Sequence, residues 1–296
     1  MTTMRVTQNM LVDRSVGSLQ GGLARLAKVQ EQLSTGRVLN RPSDSPTDTT
    51  AAMRMRSSIT DQNQYVRNAE DGLGWLGLVD QSLTSVTDQV RRARELALQG
   101  ASSGTASANA REALATEIDG IRSALVAEGN TAYLNRPVYG GITAGAQAFD
   151  AAGSFVGVAG AVNRTVADGV TVRVDVLGTD VFGPNGASVF DDLDALSTAL
   201  RSGDATGIRT GLSALATRLE DLGSVQAAVG SSYARLERAA DKGRDAVLDL
   251  TSSLSEVENA DLPRTMVDLK MQEVVYQASL ASTARVMQPS LIDFLR

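Results

Sequence analysis

The 296-residue chain contains no cysteine and no histidine. The first absence removes disulfides, thiol nucleophiles and zinc-thiolate centres together, and leaves the redox compartment open. The second removes the commonest general base near neutral pH and the commonest transition-metal ligand, so most hydrolase and metalloenzyme mechanisms lose their central residue. Only carboxylate or lysine chemistry is left to an enzyme, and no carboxylate pair stands out as acid and base. The reading is of a non-enzyme with no metal and no cofactor. Aromatics make up only 4% of the chain, which suits thin layers of helix on helix better than a thick core. No apolar run approaches the roughly 20 residues of a membrane span. Met1 to Leu11 lacks the basic start, apolar stretch and small-residue cleavage site of a secretory signal. An exported protein of this kind would need a dedicated route. The 28 basic and 34 acidic side chains are interspersed, with a formal net charge of -6, so nucleic acid is not an expected partner.

What the chain has is helical periodicity. Val12, Leu19, Leu26 and Leu33 recur every seven residues, widened by Val16, Leu23 and Val29, and Gly36 supplies the left-handed residue that ends this amphipathic helix. After a linker from Arg37, Asp44 or Ser45 caps a second helix with Pro46 in its first turn, where a missing N–H costs nothing. Its apolar positions run through Met55, Ile59, Val66, Leu73, Leu76, Leu83, Val86, Val90 and Ala97, which predicts a helix of roughly 80 Å if unbroken. Gly72, Gly74 and Gly77 interrupt it, each costing about 1 kcal/mol against alanine, and imply either a kink or the close approach of a neighbouring backbone. A third helix carries Leu114, Ile118, Ile121 and Leu125 and stops near Gly129.

The period then changes. Between Val138 and Gly186 glycine is frequent, and Val170, Val172, Val174 and Val176 alternate with polar residues like a half-buried strand. Asp168-Gly169 before it suits a two-residue hairpin turn, both residues tolerating positive φ. Ser188 with Asp191 forms a capping box opening a helix that Gly203 closes. Alternating steps of four and three from Ile208 reach Leu212, Leu215, Leu219, Leu222, Gln226, Val229, Tyr233, Leu236, Ala240, Gly243, Val247, Leu250, Leu254 and Val257. A 3.5-residue repeat held for about seven heptads calls for coiled-coil packing on a helix of matching length, and the second helix has it. Asp261 caps a last helix with two apolar stripes: Leu262, Met266, Leu269, Tyr276, Leu280 and Met287, and Val267, Met271, Val274, Ala278 and Ala281. A helix apolar on two sides wants more than one neighbour, so part of that surface is expected to be covered by other subunits.

Other features have plain explanations. The glycine-rich run from Gly140 to Gly160 lacks the Lys-Ser/Thr ending of a phosphate loop and the strand-to-helix setting of a dinucleotide fingerprint. Arg91, Arg92 and Arg94 fan around a helix with Glu95 beside them, as on a solvated face. Asp191, Asp192 and Asp194 lie in a first helical turn, where the dipole favours them without a metal.

Several segments in order along the chain resemble the flagellin superfamily and, within it, the hook-filament junction family. Leu33-Ser-Thr-Gly-Arg37 with Asn40-Arg-Pro-Ser-Asp-Ser-Pro46 is similar to the loop between that family's first two helices; Pro42 and Pro46 favour the junction branch, because flagellins usually carry alanine and acidic residues there. Asn68-Ala-Glu-Asp-Gly72 and Arg94-Glu-Leu-Ala-Leu-Gln99 resemble stretches common to both branches. Tyr133-Leu-Asn-Arg-Pro-Val-Tyr-Gly-Gly141, Asp180-Val-Phe-Gly183, Met271-Gln-Glu-Val-Val-Tyr-Gln-Ala-Ser-Leu280 and Ser290-Leu-Ile-Asp-Phe-Leu295 resemble the junction branch.

The resemblance implies a tubular assembly with paired terminal helices innermost, long helices around them and β-rich domains outside. It also implies export through the flagellar type III apparatus with help from a chaperone, and an extracellular place between a hook-side associated protein and flagellin. A flagellin, or a secreted coiled-coil effector that engages membranes, are the rival readings; no long apolar segment supports the second. Together these give a mainly α fold: a long-helix coiled-coil bundle built from N- and C-terminal segments, with a small β-rich domain inserted in the middle. The expected divisions are residues 1–40 with 261–296 as the inner assembly domain, 41–136 with 187–260 as the bundle, and 137–186 as the β-rich outer domain. Self-assembly is expected to use Val12, Leu19, Leu26, Leu33, Leu269, Val274, Tyr276, Leu280, Leu291 and Phe294.

Overall fold

The computed structural model describes residues 8–102, 107–145 and 147–287. Seven helices and four short strands follow one another among them: α1 (Gln8–Thr35), α2 (Pro46–Ser102), α3 (Ala108–Gly129), β1 (Ala132–Tyr133), β2 (Arg136–Pro137), β3 (Asn163–Ala167), β4 (Val170–Arg173), α4 (Gly178–Phe182), α5 (Val189–Ser202), α6 (Ala205–Glu258) and α7 (Leu262–Met287). They form two compact units, residues 1–60 with 247–296 and residues 61–246.

In the first unit α1 packs on α7. Along α1, Ser15, Leu19, Leu26, Val29 and Leu33 are half-buried and Gly22 between them is buried, a four-three spacing. On α7, buried Thr265 and half-buried Leu269, Gln272, Tyr276, Ser279 and Thr283 follow the same spacing. The two helices therefore meet along a coiled-coil seam. Tyr276 lies over Gly22, where an added Cβ would touch its ring at 3.4 Å. The helices run antiparallel, because Ala260 before α7 donates to the carbonyl of Gly36 after α1. Gly36 has φ +69°, as its helix-ending role requires.

In the second unit the long heptad of α6 is resolved into two rows. Ile208, Leu215, Leu222, Val229, Leu236 and Gly243, seven apart, are buried, whereas Leu212, Leu219 and Gln226 are half-buried and Tyr233 is exposed. The glycines of α2 break nothing: the helix is continuous from Pro46 to Ser102. Gly72 gives room to the side chains of Leu236 and Val174, whose atoms would lie 2.9 and 3.1 Å from an added Cβ, and Gly74 gives room to the Tyr133 hydroxyl. Side chains, rather than a neighbouring backbone, fill the space. Gly243 does the same for Val66 on the facing helix, and Arg244 pairs with Glu70 at 2.7 Å beside it.

Helix α3 packs on α5. Asp119 accepts from Ser197 at 2.6 Å and pairs with Arg201 at 2.6 Å. Partial burial pushes its carboxyl up, but these donors outweigh that and hold it below the usual range. The arginines at 91 and 92 form ion pairs with Asp88, Glu95 and Glu117, as a solvated face would.

The insert has two antiparallel two-stranded ladders, β1-β2 and β3-β4. The turn before β4 differs from expectation in that only Gly169 has positive φ, while Asp168 does not. The alternation also ends early. The strand stops at Arg173, and Asp175, on the expected polar face, is buried with its carboxylate accepting from the Val162 N–H and from Arg173. The insert's core is aromatic: Phe149, Phe155, Phe182 and Phe190, four of the chain's five phenylalanines, cluster with Tyr139 at centroid distances of 5.1 to 5.5 Å. The glycines of this region make room for rings. A Cβ at Gly129 or Gly178 would collide with Phe149, and one at Gly153 with Phe190.

The capping box of α5 is present in full: Ser188 Oγ accepts from the Asp191 N–H, and the Asp191 carboxylate accepts from the Ser188 N–H and hydroxyl at 2.9 and 2.7 Å. Those bonds from Ser188 hold the Asp191 carboxyl below its ordinary value. Ser188→Ala is expected to cost about 1 kcal/mol near neutral pH. A carboxyl lowered in the folded state stabilises above its unfolded value, and that contribution is lost as pH falls through the folded one. The deficit of the variant should therefore shrink below about pH 4 in urea titrations.

Candidate assembly surface

The α1-α7 seam uses only part of the apolar surface of these helices. On α7, Val267, Met271 and Val274 are exposed, Val274 by 64%, and Ala278 and Ala281 continue the row. At 100° per residue this row lies on the face opposite the seam, and its own four-three spacing is that of a second seam. No described residue covers it. Leu262, Met266, Val275 and Leu280 are exposed as well, and Val16 and Leu23 on α1. Each such side chain would contribute about 1.5–3 kcal/mol if fully buried.

The structure thus separates the residues expected at the interface. Leu19, Leu26, Leu33, Leu269 and Tyr276 are half-buried, placed at the contact between the chain's own two helices. Val274 and Leu280 are exposed. The side chain of Val12, and Leu291 and Phe294 altogether, lie outside the described residues. Sequence reasoning drew the α7 stripe through Leu262, Met266 and Leu280. The seam instead includes Thr265, Gln272, Ser279 and Thr283. Their polar side chains give no hydropathy signal; only a 3.5-residue register counted from Leu269 and Tyr276 would have found them.

The loops at one end of this helix pair are tied together by charge. Arg37 and Asn259 form an antiparallel bridge, with the Val38 N–H donating to the Glu258 carbonyl at 2.8 Å. Asp44 accepts from the N–H groups of Asn40 and Arg41 and pairs with Lys28 at 3.0 Å. Lys28 first, then the Arg41 N–H, holds its carboxyl below the usual range. Glu258, whose side chain is 8% exposed, pairs with Arg56 at 2.7 Å. These two belong to a hollow of about 360 Å³ shared with Arg37, Arg41 and Met53. Arg56→Ala leaves Glu258 buried without its cation; because Arg56 is half exposed, the expected cost is about 1–2 kcal/mol. Tryptic cleavage after Arg37 should accelerate accordingly, and unchanged cleavage there would show that the pair does not hold the loop.

Among the described residues no group of three or more acidic side chains is placed to hold a metal ion, and no helix is long and apolar enough to cross a membrane. The geometry offers long apolar seams, some closed and one open.

Residues 6–136 match the family described as the bacterial flagellin N-terminal helical region. The flagellar hook-associated protein 3 of Escherichia coli K12 is 25% identical over 93% of this chain and 95% of its own length. The flagellin of Bacillus subtilis 168 is 22% identical over 96% and 97%. A solved structure described as a putative flagellar hook-associated protein from Vibrio parahaemolyticus superposes with a TM-score of 0.68 at 17% identity, covering 73% of this chain and all of that one. The chain is thus similar over its N-terminal part to the flagellin N-terminal helical region, and over nearly its whole length to flagellar hook-associated and filament proteins. Hook-associated protein 3 and flagellin both align along nearly its full length.

Proposed function

We propose that the protein is a structural subunit of the bacterial flagellum, an adaptor at the junction between hook and filament. The observation that carries this reading is the open apolar row on α7 opposite a closed α1-α7 seam, in a chain similar throughout to hook-associated protein 3. Its work is interface geometry. On the terminal helices, exposed Val274 and Leu280, with Val12, Leu291 and Phe294, serve self-assembly and the contacts to a hook-side associated protein and to flagellin, while Leu19, Leu26, Leu33, Leu269 and Tyr276 hold together the helix pair that presents them. The inner, bundle and outer divisions at residues 1–40 with 261–296, 41–136 with 187–260, and 137–186 belong to the same reading. Export would go through the flagellar type III apparatus with a chaperone covering the apolar ends, and the finished subunit would be extracellular.

Flagellin is the second reading, supported by the similarity to the Bacillus subtilis protein. A deletion strain separates them. Hooks without filaments and monomeric flagellin shed into the medium support the junction role; normal hooks and filaments overturn it. Purified protein that polymerises alone into long filaments would establish the flagellin reading instead.

A further inference from the structure

The β1-β2 hairpin turns through Leu134 and Asn135, with φ of +49° and +64°. A two-residue turn of this hand favours asparagine or glycine at both places. Leucine is disfavoured in the left-handed region, yet it stands here with its apolar side chain 77% exposed. Exposure alone would mean little; exposure at a strained position asks what the side chain meets. The tip is held firmly. Tyr133 sets its edge against Trp75 at 5.6 Å and Arg136 stacks over the same ring at 5.7 Å, while Val138 donates to the Thr131 carbonyl at 2.9 Å.

A matching recess lies between α2 and α6. Gly77 and Gly230 form its floor, each with nothing within 4 Å of an added Cβ among the described residues. Val229 and the exposed Tyr233 line a groove of about 310 Å³ with Asp80, whose carboxylate accepts from Gln226 at 3.4 Å. Tyr233 occupies a heptad position that a closed seam would bury. An apolar peg beside a cation, Leu134 with Arg136, complements an apolar slot beside an anion.

We infer that Leu134 of one copy docks into the Gly77-Gly230 groove of a neighbouring copy. At 77% exposure Leu134 does not fill its own chain's groove, so the groove is left to another copy; a contact of this kind that is not reciprocated is head-to-tail, the kind that builds rings and helical tubes. The inference rests on the junction reading above.

The absence of cysteine makes the test clean. Leu134→Cys and Gly230→Cys each place one thiol in the full-length chain. The two single variants are expressed together in the source bacterium, hooks are isolated and oxidised, and linked peptides are identified by mass spectrometry. The expected product is a disulfide joining one copy of each variant. Both variants present on hooks without that link, or disulfides joining only two copies of the same variant, would overturn the docking. As a second measurement, Leu134→Asp should lower the hook-bound protein at least tenfold while Leu134→Met retains it, with urea unfolding followed at Trp75 alike in both. Equal retention of the aspartate variant overturns the docking too. If the wild-type protein is itself absent from hooks, the junction reading fails, which is a separate outcome.

Discussion

Val274→Asp is expected to leave the isolated protein as stable as before and to remove it from the hook. In the monomer the side chain is 64% exposed on the open face of α7, and exposed substitutions of this kind stay within about 0.5 kcal/mol. In the proposed assembly the same position is buried among apolar neighbours, where an unpaired carboxylate costs several kcal/mol. At about 1.4 kcal/mol per factor of ten, the hook-bound amount should fall by roughly a hundredfold or more. Met271→Asp, one step earlier in the row, should behave alike. Gln277→Asp, about a quarter-turn around the helix, is the control and should bind normally. Immunoblots of purified hooks, with thermal unfolding of the same variants, give the comparison. Wild-type amounts of Val274→Asp on hooks would mean that the open row is not an assembly surface.

The contrast between the two faces of α7 also marks how far the sequence could be read. Signals written within a few neighbouring residues translated directly: Gly36 and Gly203 end their helices with positive φ, Ser188 and Asp191 form their box, and Asp261 caps α7 through the Arg264 N–H. The four-three repeat of α6 correctly announced a long packed helix. It did not announce that one of its two rows is much more deeply buried than the other, because depth depends on what lies across the groove. Which face of α7 meets α1 was not legible for a related reason. Gln272, Ser279 and Thr283 lie against α1 although hydropathy favours the opposite face, which stays open in the single chain. Hydropathy within one helix identifies apolar faces; it does not say which face a given partner takes. Asp175 was unreadable in the same sense, its burial being stabilised by Arg173 and the Val162 N–H. Glycine was read as frequent between Val138 and Gly186 without a reason for its positions, and at Gly129, Gly153 and Gly178 that reason is space for phenylalanine rings twenty or more residues away.

Those rings set the second large expectation. Phe182 is fully buried, stacked on Phe190 at 5.2 Å and edge-on to Tyr139 and Phe149 at 5.4 and 5.1 Å. Truncation to alanine should cost about 3–5 kcal/mol, since the surrounding helices and loops can close the cavity only in part. The chain has one tryptophan, Trp75, buried in the same unit, so its fluorescence reports the unfolding of residues 61–246. For a slope of about 2 kcal/mol per molar urea, the midpoint should move down by about 2 M. The α1-α7 pair belongs to the other unit, so Phe182→Ala and Val274→Asp should act on different observables: the first on the Trp75 transition, the second on hook attachment. A midpoint shift under about 0.3 M for Phe182→Ala would mean that the ring cluster, despite its burial, is not what holds the insert to the bundle.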